Sequence, residues 1–120
     1  MRESGVFLRA ATAADQSTIR RMIGEARLNR MHVNWPGFVV AEWVQPNPPP
    51  AARQIVGVGQ VKTHSDGSRE LASIAVLPAF QRRGIAAAII HALIARQDGD
   101  LYLYCADSMP RYYARFGFVA

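Results

Sequence analysis

Apolar positions along the chain change their spacing several times, and each change marks an element. Val6 to Arg9 is a short run of strand composition. "TAADQSTIRRMIGEA" then sets Ile19, Met22, Ile23 and Ala26 at helical spacing, which predicts an amphipathic helix. Thr12 is its expected N-cap, with Asp15 as the acidic partner of a capping box. Gly24 weakens this helix without ending it. "RLNRMHVNWPG" reads as a loop or a short second helix before Pro36, and "FVVAEWV" has the β-branched and aromatic content of a strand. "QPNPPPAA" contains three consecutive prolines, which cannot donate to a ladder, so it is expected to connect two hairpin strands. "RQIVGVGQVKTH" is the next strand, where Gly57 and Gly59 point to a bulge or a close backbone approach. After the turn "SDGS", "RELASIAVL" alternates Leu71, Ser73, Ala75 and Leu77 with Ala72, Ile74 and Val76. Both faces can then be buried, the pattern of a central strand.

Pro78 ends that strand, and a helix runs from Ile85 to about Gln97. Beyond "DGD", "LYLYCA" predicts a strand. "SMPRYYARF" predicts a short helix with Ser108 as its cap and Pro110 early in it, and "GFVA" begins one more strand. There is no internal repeat and no separate linker, so residues 1–120 are expected to form a single domain.

Composition narrows the setting. Half of the residues are hydrophobic, enough for one packed core without disulfides or metal. Cys105 is the single cysteine, which excludes a disulfide framework and a cysteine-based zinc site and suits a reducing cytoplasm. His32, His64 and His91 make no metal pattern, and no metal is expected. "MRESGVFLRAATAAD" lacks the apolar core of a signal peptide. The longest apolar run, Ile85 to Ala95 with His91 inside it, is shorter than the roughly 20 residues that cross a bilayer. A soluble cytoplasmic protein with no membrane partner is the expectation. The formal charge of +5 and a pI near 10.1 favour anionic partners. The arginines are scattered, however, with no run of five like charges and no aromatic-basic stripe, which counts against nucleic acid.

Strand, tight loop and helix meet at Gln81-Arg82-Arg83-Gly84-Ile85-Ala86. The first amides of a helix have no partner within it, and the macrodipole makes that end positive. Successive N–H groups there can cradle a phosphate or pyrophosphate. Gly84 removes the Cβ from the anion's path, Ala86 keeps the first turn small, and Arg82 and Arg83 add charge. Alone, a Q-x-x-G-x-A string fits a purely structural helix start equally well.

"SIAVLPAFQRRGIAAAIIHALI" resembles the central motif of the GNAT superfamily of N-acetyltransferases, V-x-P-x-x-Q/R-x-x-G-x-G/A, and "YYARFGF" resembles that superfamily's C-terminal Y-x-x-x-G-F. The order of elements agrees over nearly the whole chain. The resemblance implies an α+β, three-layer fold: a mixed, mostly antiparallel central sheet flanked by helices, here with the C-terminal strand or strands short or missing. It implies that the amides of Gln81, Arg82, Arg83, Gly84, Ile85 and Ala86 hold the pyrophosphate of acetyl-CoA. Ile74, Ala75 and Val76 then lie along the cosubstrate, with the Val76 N–H as an oxyanion donor. The implied activity is direct transfer of acetyl to a primary amine in a ternary complex. Two features depart from the family pattern. Ala106 and Asp107 stand where many relatives place an asparagine against the pantetheine arm, and the chain stops at Ala120, where relatives commonly add a strand. An open edge along Leu101 to Ala106 predicts either a homodimer that covers it or a truncated fragment of reduced stability.

Tyr113 matches the family tyrosine proposed as general acid for the leaving thiolate; Tyr112 points to another helix face and reads as packing. Glu70 is the first candidate for general base, directly or through water, against the reading of a solvated carboxylate at a strand end; Glu42 ranks behind it. Cys105 as an acetyl carrier is weighed against a small buried hydrophobe, and His91 as a catalyst against a satisfied histidine. Asn29, Arg30, His32, Asn34 and Trp35 fall in the family's variable acceptor loop. An acyl-CoA sensor without turnover fits the loop equally well, and Tyr113 favours the enzyme. The acceptor stays open among amino acids, polyamines, antibiotics, protein N-termini and lysines.

Overall fold

A computed structural model describes residues 5–28, 33–45 and 52–96, together with Phe116. Strand β1 (Gly5–Ala10) leads to helix α1 (Gln16–Glu25), followed by strands β2 (Phe38–Gln45), β3 (Ala52–Thr63) and β4 (Arg69–Val76) and helix α2 (Ile85–Ala95). The strands pair antiparallel in the order β1-β2-β3-β4. Among the described residues β4 therefore ends the sheet. The strand expected over 101–106 and the elements expected after it lie outside the described residues, apart from Phe116.

The capping box at the start of α1 forms, with a difference. The Thr12 N–H donates to Asp15 Oδ2 at 2.7 Å and the Thr12 hydroxyl to the same oxygen at 3.1 Å. The first turn, Ala13–Asp15, is a 3-10 helix, and the α-helix proper begins at Gln16. The carboxylate is drawn on from another side as well: Arg9 of β1 donates to both its oxygens, at 2.8 and 3.1 Å. Arg9 also reaches Glu42 of β2 at 3.4 Å, and Arg53 of β3 meets Glu42 at 3.2 Å. One chain of charges thus ties α1 to three strands. The Arg9 hydrogen bonds, foremost, hold the Asp15 pKa at about 2, against burial, which acts to raise it.

The sheet carries one apolar layer on each face. Ile19, Met22 and Ile23 of α1 pack with Phe38, Val40, Val58 and Ala75 on one side. Ile85, Ile89, Ile90 and Leu93 of α2 pack with Val39, Ala41, Val56 and Leu71 on the other. Phe116 packs against the α2 layer, and its ring meets that of His91 edge-on at 4.9 Å.

Helix α2 comes close to β3 because Gly57 and Gly59 have no side chains. A Cβ on Gly59 would lie 2.6 Å from Ile74 Cδ1 and 2.7 Å from Ile89 Cγ2; one on Gly57 would lie 2.9 Å from Ile89 Cδ1. Gly59 also faces a bulge. The β3–β4 register slips between Val58 and Gln60, so Ser73 and Ile74 of β4 share the place opposite Gly59. Ser73 takes up the extra length with φ +59°. A second slip, between Ala41 and Glu42, leaves Val56 as the extra residue of β3.

Gly59→Ala forces a methyl group into Ile89, whose Cγ2 is fixed to its β-carbon. Overpacking of this kind costs about 1–3 kcal/mol, so urea denaturation should show the variant destabilised by that amount; unchanged stability would mean that α2 does not sit this close.

Because the Asp15 carboxyl titrates lower folded than its ordinary 3.8, its contribution is complete above about pH 4 and is lost as pH falls toward 2. Asp15→Asn should cost about 1.5–3 kcal/mol at neutral pH, the range for hydrogen bonds to charged groups. Its stability should also fall less steeply than the wild type's through that acid window in urea titrations run at successive pH values.

Candidate cosubstrate and acceptor site

The loop after β4 is held at several points. The Leu77 N–H donates to the Val56 carbonyl at 2.8 Å, and the single turn Pro78–Phe80 follows. Gln81 folds back, its Nε2 donating to the Val76 carbonyl at 3.0 Å. The Phe80 ring meets Trp43 of β2 at 5.9 Å and carries the Arg83 guanidinium on its face at 5.1 Å. Two left-handed backbone positions are separated by one residue, with Arg82 at φ +64° and Gly84 at φ +78°.

Gly84 is the N-cap of α2, which has no side-chain cap. The first helical bond runs from the Ala88 N–H to the Gly84 carbonyl at 3.0 Å, so the amides of Ile85, Ala86 and Ala87 precede the ladder. A Cβ on Gly84 would meet nothing within 4 Å. Residues Gln81 to Gly84 are exposed. Among the described residues, neither Arg82 nor Arg83 has a carboxylate within ion-pair distance. Helix-start amides outside the ladder, an open approach and two arginines with no carboxylate partner among the described residues fit a diphosphate.

The other expected cosubstrate residues fall beside this loop, with a restriction. Ala75 is buried in the α1 layer and Ile85 in the α2 layer, so their side chains are closed to a ligand. Ile74 and Val76 are half-buried on the α2 side.

The opposite face of the sheet carries the acid-base groups. Lys62 stands directly across from Glu70, and Gln60 across from Ala72. Alternation along β3 puts both on the α1 side, with Val58. Glu70 is not a solvated strand-end carboxylate: its Oε1 lies 2.9 Å from His64 Nε2, and its side chain is only 15% exposed. Glu42 is engaged by Arg9 and Arg53. A cavity of about 500 Å³ opens on this side, lined by Asn34, Pro36, Gly37 and residues 60–65. Gln60, 3% exposed, lines it and donates from Nε2 to the Ser73 hydroxyl of the bulge at 2.8 Å.

Of the acceptor-loop candidates, Asn34 lines the cavity. Trp35 packs on the α1 layer, its N–H donating to Gln16 Oε1 at 2.8 Å. Asn29, Arg30, His32, Cys105, Ala106, Asp107, Tyr112 and Tyr113 lie outside the described residues. His91 is exposed on α2, against Phe116. Among the described residues no cluster of three or more His, Cys, Asp or Glu could hold a metal ion, and no described helix is long and apolar enough to cross a membrane. Sequence reasoning did not single out Gln60, Lys62 or, as a partner of Glu70, His64. The available signal was a glutamine within the apolar run "VGVGQV".

An antiparallel sheet with a helix on each face and an exposed start of α2 behind Gly84 make up the architecture, and the comparisons give it a family. The family model described as an acetyltransferase (GNAT) domain matches residues 34–120. The solved structure of Rv2747 from Mycobacterium tuberculosis, in complex with CoA, is similar at 23% identity and a TM-score of 0.72, covering 94% of this chain and 71% of that one. Diaminobutyrate acetyltransferase from Paenibacillus lautus, solved with its substrate L-2,4-diaminobutyric acid and coenzyme A, is similar at 18% identity and a TM-score of 0.67, over 95% of this chain and 74% of that one. N-acetylglutamate synthase from Neisseria gonorrhoeae, complexed with coenzyme A and L-arginine, gives 21% identity and a TM-score of 0.68 over 92% of this chain; that match takes in only 26% of the synthase. No curated protein sequence matches. The chain belongs to the GNAT acetyltransferase family, which makes it an N-acetyltransferase with a CoA-type cosubstrate.

Proposed function

We propose that the protein transfers acetyl from acetyl-CoA directly to a primary amine while both substrates are bound. The observation that carries this reading is the exposed, uncapped start of α2 behind left-handed Gly84. The loop Gln81 to Ala86 holds the pyrophosphate through backbone amides, with Arg82 and Arg83 adding charge. Ile74, Ala75 and Val76 line the path of the acyl end through their backbone. The thioester supplies the acetyl group; the chain's own residues bind, orient and manage protons.

An alkyl amine has a pKa of about 10.4 and must lose a proton before it attacks. Glu70, held by His64 at 2.9 Å, is the acceptor for that proton, directly or through water. Tyr113 is the donor to the departing thiolate. Acceptor specificity lies with the α1 side of the sheet, where Asn34 meets the cavity. CoA complexes and amine substrates among the structural relatives support this reading. The single cysteine suits a cytoplasmic location.

Gly84→Glu places a carboxylate in the open approach to the amides, and it should abolish the thermal shift that CoA produces in the wild type. Equal shifts in the two proteins would remove the loop from the binding site.

Initial-velocity lines for acetyl-CoA against a turned-over amine should intersect, as direct transfer in a ternary complex requires; parallel lines would indicate a covalent acetyl-enzyme. In the same assay Tyr113→Phe should lower kcat by about 10²- to 10⁴-fold with CoA affinity nearly unchanged. Retained CoA binding without turnover of any amine would favour an acyl-CoA sensor.

A further inference from the structure

The cavity on the α1 side has a chemistry of its own. Among the described residues its walls contain Lys62 and His64 and no aspartate or glutamate. Opposite charges directly across a strand pair normally meet. Lys62 stands across from Glu70, yet Glu70 turns to His64, and among the described residues Lys62 has no carboxylate within ion-pair distance. Lys62 is half-buried at the cavity wall, and among the described residues no carboxylate pairs with its ammonium. Thr63, Ser65 and Asn34 supply neutral hydrogen-bonding groups beside it. The volume, about 500 Å³, lies in the range of small-molecule sites. Gln60 joins the cavity to the β4 bulge at Ser73, next to Ile74, where the proposed transfer puts the cosubstrate's acyl end.

We propose that this cavity receives the acceptor and selects a small amine that also carries an acid group, which Lys62 binds. The inference rests on the proposed acetyl transfer and adds the acceptor's class. A polyamine or lysine side chain would bring a second or isolated cation to a wall that is already positive. An amine bearing a carboxylate or a phosphate brings Lys62 its missing counter-charge and is turned so that its nitrogen faces away from Lys62.

The test compares acetyl-CoA turnover of matched acceptors by thiol release: 4-aminobutyrate against butylamine, 2-aminoethyl phosphate against ethylamine, and spermidine. At least one acid-bearing amine should exceed its uncharged partner in kcat/KM by about tenfold or more, the worth of one charge-assisted contact. The two arms separate carboxylate from phosphate. Lys62→Met, which keeps the aliphatic stem, should erase that advantage by raising KM with kcat little changed, while Lys62→Arg retains most of it. A wild-type thermal shift with CoA shows that each variant is folded. Turnover that favours butylamine, ethylamine or spermidine, or an acid preference untouched in Lys62→Met, would overturn the acceptor assignment and leave acetyl transfer standing. No thiol release with any amine would overturn both.

Discussion

Helix α2 lies against β3 at a distance that only two missing side chains permit. Ile85 and Ile89 occupy the space in front of Gly57, and Ile89 and Leu93 that in front of Gly59. The start of α2 is thereby pinned over the end of β4, and the open amides behind Gly84 follow from that position. Any side chain at either glycine would lift the helix and, with it, the exposed first turn behind Gly84. The arginine loop depends on the same contact: Phe80, which supports Arg83, packs on Trp43 within the layer that α2 seals. Burying four large aliphatic residues of α2, each worth about 1.5–3 kcal/mol, holds the helix down while its first turn stays exposed.

The two faces of the sheet divide the work. The α2 face carries the exposed start of α2, and the α1 face carries Glu70, His64, Lys62 and the cavity. The bulge at Ser73 is where the two meet. A bulge breaks the ladder locally and re-aims the residues after it. Here it shifts β4 by one residue relative to β3, so that Ala72 and Ala75, three apart, both stand opposite α1-side residues. Gln60 fixes the bulge from the α1 side through Ser73, and the side chain of Ile74 closes it against Gly59 from the α2 side. The ion chain Asp15–Arg9–Glu42–Arg53 serves a different end. It fastens the N-terminal end of α1 to the sheet, which keeps Gln16 in place to bond Val33 and Trp35 and so to hold the backbone beside the cavity.

Short-range features are legible in the order of residues alone. The Thr12–Asp15 box, the strand spacing of "FVVAEWV", the turn at "SDGS" and the cradle ending in Gly84 each depend on residues within a few positions of one another. Local backbone preference determines such features. Gly57 and Gly59 signal a bulge or a close approach, and both occur, because a glycine in a strand is unfavourable unless the backbone needs its space. The C-terminal motif with Tyr113 is equally readable as a pattern, although only Phe116 of it lies among the described residues.

What the sequence determined by itself was therefore the order of elements from β1 to α2, the family and the tight turn at Gly84. Tertiary structure decided which polar residues share a site. Glu70 has the sequence setting of a strand-end carboxylate, and only the folded turn brings His64 within 2.9 Å of it. Gln60 interrupts an apolar strand for no local reason, and its reason is Ser73 on the neighbouring strand. Arg9 gives no sign in the sequence of serving both Asp15 and Glu42. The reason is register. A shift of one residue moves every side chain of a strand to the other face, and the bulges that set this register arise where strands and helix pack together, not from the spacing of residues along the chain.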